Sequence, residues 1–177
     1  AELFLAGLTV TDLQKAVDVY NRNQGAVDLY KKLFEGQTAI AYCVGVKHSE
    51  NMAGLFREAG VPAGFISGKN TEKEKQEILR QFQNGEIKVL CNADILIQGF
   101  DEPRASVCLN LRPTLSLVLA EQRGGRVLRK DPNNSQKHAY ILDFFDKIEG
   151  GKNIPVSFAQ VAEGAQILTP QDTDRRQ

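Results

Sequence analysis

The residues best suited to chemistry lie in one short basic segment, Gln122-Arg123-Gly124-Gly125-Arg126-Val127-Leu128-Arg129-Lys130. Gln122, Arg126 and Arg129 are spaced i, i+4 and i+7, so a helix would place them on one face. No carboxylate stands three or four places from either arginine, whereas a solvated helix face usually interleaves acids at those spacings. Because planar guanidinium groups match phosphate oxygens, two of them aimed at one point would stabilise charge on a transferring phosphoryl group. The pattern favours an anion site, and the alternative is a basic surface stripe without a specific ligand.

The segments that must position these residues alternate between strands and helices. Runs of apolar and β-forming residues predict five buried strands, over 38–44, 61–66, 87–91, 106–111 and 139–142. Helices are predicted over 47–59, from a Thr71/Glu74 capping box onward, and over 115–129. Helix stops are expected at Gly36, Gly60 and Gly85. This order predicts an α/β fold with a mainly parallel sheet covered by helices on both faces, and ligands at the loops after residues 44, 66, 91 and 111.

The two ends of the chain differ from this central part. Residues 11–35 predict two helices, each with one apolar face. The faces comprise Leu13, Ala16, Val17 and Tyr20 in the first, and Ala26, Val27, Tyr30 and Phe34 in the second. Residues 151–177 lose periodicity and predict a frayed tail. We therefore expect a helical lead-in from a preceding domain over 1–37, a main domain over 38–150 and a C-terminal extension over 151–177, in a piece cut from a longer protein without its initial Met.

Length and composition fit one globular domain. The 177 residues carry 22 Lys and Arg and 22 Asp and Glu, hence no net charge. Proteins that bind nucleic acid through overall charge are usually basic, so such binding here would come from a local groove. Cys43, Cys91 and Cys108 lie far apart in apolar runs, which predicts buried, reduced thiols in a cytoplasmic protein and no metal site. No apolar run approaches the roughly 20 residues of a membrane span, so no membrane partner is expected.

Three segments resemble motifs of the superfamily-2 helicases and occur in that family's order. Gln122-x-x-Gly125-Arg126-x-x-Arg129 matches motif VI, QxxGRxxR. Residues 91–103, with Gly99 and Asp101 near their end, resemble motif V, and Tyr42-Cys43 resembles motif IV. Residues 112–116, just before motif VI, resemble the restriction-enzyme and excision-repair branch. The resemblance covers residues 38–145 and implies the C-terminal RecA-like domain of a helicase, a three-layer sandwich.

The resemblance also implies roles for individual residues. Arg126 and Arg129 would be arginine fingers that reach ATP, and Gln122 would help to place the γ-phosphate or its attacking water. The nucleotide side of the cleft would comprise Gly99, Asp101 and Gly125. The residues that would hold a nucleic-acid strand, partly through backbone N–H groups, are Gly45, Val46, Gly68, Lys69, Asn92 and Thr114. Glycine lets a phosphate approach the backbone closely, although Gly45 and Gly68 equally suit simple turns.

Two departures from the family pattern bear on these roles. Ala93 stands where related helicases often have Thr, which removes a hydroxyl contact to nucleic acid. The doubled glycine at Gly124-Gly125 is expected to loosen the helix that aims Arg126. The implied partners are nucleic acid, DNA more than RNA, and an N-terminal RecA-like domain of the same protein.

The sequence carries no complete ATP-gripping motif. A phosphate loop requires G-x-x-x-x-G-K-[ST], but at Gly68-Lys69 the first glycine is replaced by Ala63 and the hydroxyl residue by Asn70. ATP with Mg²⁺ would therefore be bound mainly by the N-terminal domain, and this chain alone is not expected to hydrolyse it. Two other classes stay open. A non-catalytic nucleic-acid-binding or regulatory module predicts loss of the arginine pair, and an unrelated nucleotide-binding α/β enzyme predicts a glycine-rich phosphate loop after the first strand.

Overall fold

The computed structural model describes residues 18–93, 101–114 and 117–144. Their elements in chain order are α1 (Tyr20–Phe34), β1 (Ala39–Cys43), α2 (Val46–Glu58), β2 (Ala63–Ile66), α3 (Glu72–Gln83), β3 (Val89–Ala93), β4 (Val107–Asn110), α4 (Leu117–Val127) and β5 (Tyr140–Asp143). The strands form one parallel sheet in the order β2-β3-β1-β4-β5. The predicted α/β fold is confirmed. Leu13, Ala16, Val17, Gly99 and residues 151–177 lie outside the described residues.

Helices cover both faces of the sheet. Successive residues of the central strands point to opposite sides, so each strand contributes side chains to both packed faces. Ala39, Ala41 and Cys43 of β1 pack with apolar side chains of α1 and α2. Ile40 and Tyr42 pack on the other side with apolar side chains of α3 and α4. With both faces covered, every residue of β1, β3 and β4 is buried. The three cysteines are buried free thiols, as the sequence predicted.

The helix before the first strand belongs to this core. Ala26, Val27 and Tyr30 of α1 are fully buried, and the Tyr30 ring meets Phe56 of α2 edge-on at a centroid distance of 5.5 Å. The apolar face predicted for this helix is confirmed. Tyr20, which we placed on an inward face, is 65% exposed because it begins α1 ahead of the first buried position, Asn23.

Local sequence rules set the ends of several helices. The Thr71 hydroxyl accepts a hydrogen bond from the Glu74 N–H, and the Glu74 carboxylate accepts one from the Thr71 N–H at 2.7 Å, so the predicted capping box is present. The three glycines expected to stop helices all adopt positive φ, between +79° and +85°. Each of these three glycines lies between a helix and the strand that follows it.

Candidate functional site

The carboxyl ends of β1 and β4 are the switch point of the sheet, the place where parallel α/β sheets generally have a ligand-binding crevice. These strands are neighbours, with Tyr42 opposite Asn110. The chain nevertheless leaves β1 for α2 on one face and leaves β4 for α4 on the other. Parallel α/β sheets bind ligands at such a switch point. The Asn110 amide donates to the Asp143 carboxylate at 2.8 Å, so polar side chains already line this edge.

A buried arginine of α4 joins the two strands. The guanidinium carbon of Arg123 lies 5.4 Å from the centroid of the Tyr42 ring, and its Nη1 donates to the Arg112 carbonyl at 3.0 Å. Arg123 is only 5% exposed. The sequence predicted no role for Arg123 within the basic segment. Its i, i+3 spacing from Arg126 was the available indication that the two share a helix face.

Arg126 approaches the same tyrosine from one turn further along α4. The positive charge of its guanidinium acts on Tyr42 and opposes the rise of the pKa of that tyrosine. Burial raises the pKa of Tyr42, with a smaller rise from Cys108, and the two neighbouring arginines only partly oppose this rise. The phenol is therefore neutral at physiological pH and offers its oxygen as an acceptor. Tyr42 lies near the carboxyl end of β1, so the half-buried Arg126 acts at that edge of the sheet.

Arg129 lies beyond the helix, which corrects the predicted common face of Gln122, Arg126 and Arg129. Helix α4 ends at Val127, two residues earlier than predicted. Its last turn contains Gly124 and Gly125, and glycine is a poor helix former. Pro132 in addition disfavours a helical conformation for the residue before it. Gln122 and Arg126 remain one turn apart on α4.

The Arg129 side chain instead pairs with Asp101. Its Nη1 lies 2.9 Å from the Asp101 Oδ2, and both side chains are about half exposed. The structure thus brings together one residue predicted as a finger and one predicted beside the nucleotide. Carboxylates three or four places from Arg129 can be read from the sequence. Asp101 could not be predicted as its partner in this way, because it lies in a distant loop.

The remaining residues predicted at the nucleotide side occupy open positions. Gln122 is exposed on α4. Gly125 is half-exposed, and a methyl group added there would meet no atom within 4 Å. Helix α4 runs through the glycine pair without a break. The space beside Gly125 is therefore open at the surface that carries Gln122 and Arg126.

Four residues predicted to hold nucleic acid follow strands β1 and β2 at the carboxyl edge. Gly45 precedes α2 in extended conformation, and Val46 begins that helix, where the first N–H groups lack intrahelical partners. Gly68 and Lys69 are exposed in the turn after β2. The Ser67 N–H donates to the Asn70 side-chain oxygen at 2.8 Å and holds this turn.

The other two residues predicted to hold nucleic acid are less exposed. Asn92 lies inside β3 rather than in a loop, because the strand continues to Ala93 and pairs with β1 and β2 on either side. It is only 9% exposed and stands opposite Tyr42. Thr114 is half-buried in the segment between β4 and α4.

A buried histidine, for which the sequence predicted no role, lies behind Gly45-Val46. His48 is fully buried; its Nδ1 accepts from the Val44 N–H at 3.2 Å, and its Nε2 lies 3.1 Å from the Asn23 Oδ1. Asn23 and Asn51 each donate to the Asp18 carboxylate, at 2.6 and 2.7 Å. Since Nδ1 is an acceptor, the proton of the neutral ring lies on Nε2. The network ties α1 to the turn that leads into α2.

No group of three His, Cys, Asp or Glu side chains that could hold a metal ion occurs within 18–93, 101–114 and 117–144. In the part of the chain that the structure describes, no helix is both long and apolar enough to span a bilayer.

The fold and the basic crevice define a RecA-like domain of the helicase type. The profile of the helicase conserved C-terminal domain matches residues 24–131. The chain belongs to this helicase C-terminal domain family, and the resemblance to superfamily-2 helicases is confirmed.

Individual relatives agree with this assignment. The chain is 40% identical over 117 residues to a 51.5 kDa protein of a Lactococcus phage (isolate 7-9), a match that covers 66% of this chain and 25% of that protein. It is 22% identical over 171 residues to the ATP-dependent RNA helicase DBP3 of Phaeosphaeria nodorum, which covers 94% of this chain and 28% of that protein. The chain thus spans about a quarter of the length of these relatives.

Solved structures show the same fold. Saccharomyces cerevisiae Dbp5, solved bound to RNA and ADP BeF3, matches with a TM-score of 0.58 at 20% identity, over 72% of this chain and 33% of that one. Escherichia coli DEAD-box protein SrmB, solved with a regulator of ribonuclease activity, matches with a TM-score of 0.57 at 23% identity, over 67% and 68% of the two chains.

Proposed function

We propose that this chain is the second motor domain of an ATP-dependent nucleic-acid helicase or translocase. Its role is to supply Arg126 and Arg129 to ATP held mainly by an N-terminal RecA-like domain, and to form part of the nucleic-acid track. The observation that supports this role most directly is the half-buried Arg126 on α4, whose charge acts on Tyr42 at the switch point of the sheet. The proposed activity belongs to the longer protein, and this chain alone is not expected to hydrolyse ATP.

The residues at the crevice fit a bound nucleoside triphosphate. Arg126 and Arg129 are matched to phosphate oxygens in charge and shape. Asp101 offers a carboxylate to a ribose hydroxyl, and the open space at Gly125 leaves room for a ligand against the helix. ATP supplies the phosphoryl group that is transferred. Arg126 and Arg129 place positive charge where negative charge builds, and Gln122 orients the attacking water.

The ion pair of Arg129 supports its proposed role as an arginine finger. In the domain by itself Arg129 pairs with Asp101. A half-exposed pair of this kind contributes about 0–1 kcal/mol, so a triphosphate would displace it easily. Arg129 would then exchange one carboxylate for phosphate oxygens of higher charge.

The proposed track consists of the loops after β1, β2 and β4 at the same edge. Gly45, Val46, Gly68 and Lys69 offer backbone N–H groups and one ammonium group, whereas Thr114 offers a hydroxyl. Asn92 would act through its side chain, since its backbone lies within a strand that is paired on both sides. The sequence favoured DNA, but relatives named as RNA helicases or solved with RNA lend this preference no support. The experiment below therefore includes both.

The test is ATP hydrolysis by the full-length protein, with single- and double-stranded DNA and RNA, comparing wild type with Arg126→Ala. Removal of an arginine finger lowers the rate by on the order of 10³–10⁵. We expect stimulated hydrolysis to collapse by such a factor while ATP binding persists. The strand type that stimulates wild type most identifies the substrate.

Arg80→Ala is the matched control. Arg80 is a half-exposed arginine on α3 that pairs with Glu77 and Glu86, away from the crevice. Its loss should leave hydrolysis within about twofold of wild type, as expected of a surface ion pair. Normal hydrolysis by Arg126→Ala would refute the role of Arg126 as an arginine finger and leave the basic segment as a surface stripe without a specific ligand.

A further inference from the structure

Lys137 connects the two segments that carry Asp101 and Arg129. It lies in the loop between α4 and β5, outside every motif that the sequence analysis used. Its Nζ donates to the Pro103 carbonyl at 2.6 Å and to the Arg129 carbonyl at 2.7 Å. Pro103 follows Asp101 by two residues. One ammonium group therefore bridges the backbone on both sides of the Asp101–Arg129 ion pair.

Lys137 is held by two backbone acceptors. Partial burial lowers its pKa, and the negative charges of Asp131, Glu102 and Asp101 only partly oppose this lowering. Hydrogen bonds from a charged donor are roughly twice as strong as neutral ones, and both carbonyls receive such a bond. Lys137 thus has two fixed acceptors on separate segments, in contrast to a lysine whose head group is solvated.

The segment after Asp101 is held from a second side. Glu102 is nearly buried, and its carboxylate accepts from Arg104 Nε at 2.8 Å and Nη2 at 3.0 Å. Arg104 Nη2 also donates to the Phe82 carbonyl of α3 at 3.3 Å. The Asp101 side is therefore anchored to the body of the domain. The Arg129 side follows the end of α4, and Lys137 ties it to that anchor.

We propose that Lys137 is a positioning residue for the arginine fingers, because it fixes the Arg129 backbone relative to the loop that carries Asp101. This inference rests on the proposed motor function. Lys137 itself contacts no reacting atom; it acts through the placement of Arg129. A displacement of about 1 Å of a group that acts on the transition state lowers a rate by up to 10²-fold, so the bridge matters for turnover more than for ATP binding.

The test compares Lys137→Met, which keeps an apolar stem but no donor, with wild type in ATP hydrolysis by the full-length protein. We expect kcat to fall roughly 10- to 100-fold, with the KM for ATP changed by less than about threefold. Lys137→Arg, which restores a cationic donor, should recover most of kcat. Lys73→Met is the matched control, since Lys73 is an exposed lysine on α3 outside the basic segment, and it should hydrolyse ATP like wild type.

Hydrogen exchange of the 177-residue chain gives a readout independent of ATP. In Lys137→Met the amides of residues 101–105 and 128–131 should exchange faster, with those of β1 unchanged. If exchange rises throughout the domain, Lys137→Met has disturbed the whole fold. Lys137→Gln, which keeps a neutral donor, is then measured by ATP hydrolysis and by hydrogen exchange. We expect its kcat to fall and its KM for ATP to stay nearly unchanged. A normal kcat in the folded variant overturns the inference when Arg126→Ala has lost activity. Normal hydrolysis by Arg126→Ala instead refutes the role of Arg126 as an arginine finger, and the inference falls with it.

Discussion

Acidification from pH 7.5 to 5.0 is expected to destabilise the domain through His48. Burial lowers the pKa of this imidazole from 6.5 to about 4, and the nearby Asp18 carboxylate offsets only part of that effect. The hydrogen bonds agree, because the Val44 N–H points at Nδ1 and a proton there would set two donors against each other. The folded domain therefore excludes a proton that the unfolded chain binds below pH 6.5.

The sign and size of the effect follow from linkage. A group with a lowered pKa in the folded state contributes stability that is complete above its unfolded pKa and is lost as the pH falls toward its folded value. For one histidine shifted from 6.5 to about 4, the loss between pH 7.5 and 5.0 is about 2 kcal/mol. Glu77, whose pKa is lowered to about 2, loses its contribution only below this window.

Urea unfolding of the chain at pH 7.5, 6.0 and 5.0 measures the loss. His48→Asn can still accept from the Val44 N–H but does not titrate, so its free energy of unfolding should be lower at pH 7.5 and nearly flat down to pH 5.0. His138→Asn is the matched control, because His138 is exposed and is the only other histidine of the chain. It should keep the wild-type slope. Equal slopes in wild type and His48→Asn would show that the buried ring does not carry the effect.

Two further outcomes are expected. Thr71→Ala removes the side-chain acceptor of the capping box on α3 and should cost about 1 kcal/mol in urea unfolding at pH 7.5; an unchanged midpoint would contradict the role of the cap. The 177-residue chain, which has no net charge, should bind single-stranded nucleic acid weakly, with an affinity that falls steeply between 50 and 200 mM salt in fluorescence anisotropy. Tight, sequence-specific binding that tolerates salt would contradict the motor-domain assignment.

The sheet could be predicted from the sequence because its signals are local. Runs such as 38–44 are continuously apolar, as strands buried on both faces must be, and the structure places β1 there. The Thr71/Glu74 pair and the glycine stops also depend on neighbours a few residues away. The family motif identified the basic segment of α4 for the same reason, since its spacing is readable within eight residues.

The contacts that shape the crevice could not be predicted in this way. Asp101 reaches Arg129 from another loop, and Lys137 donates to Pro103 across 34 positions of sequence. His48 showed no ligand spacing, and its partners come from α1 and from the end of β1. Each of these pairings depends on how elements pack. The helix end at Val127 was not predicted either. The side-chain spacing typical of a helix continues beyond it, through residues whose backbone preferences end a helix.

The order of the strands also sets a sequence of events during synthesis. Strand β1 lies at the centre of the sheet, between β3 and β4. Its pairing with β3 is possible once residue 93 has left the ribosome, but its other edge has no partner until residues 107–110 follow. Over that interval a wholly apolar strand presents an open edge, the kind of surface on which nascent chains associate wrongly. The growing polypeptide therefore still presents one open edge of β1 while the loop that carries Asp101 is being made.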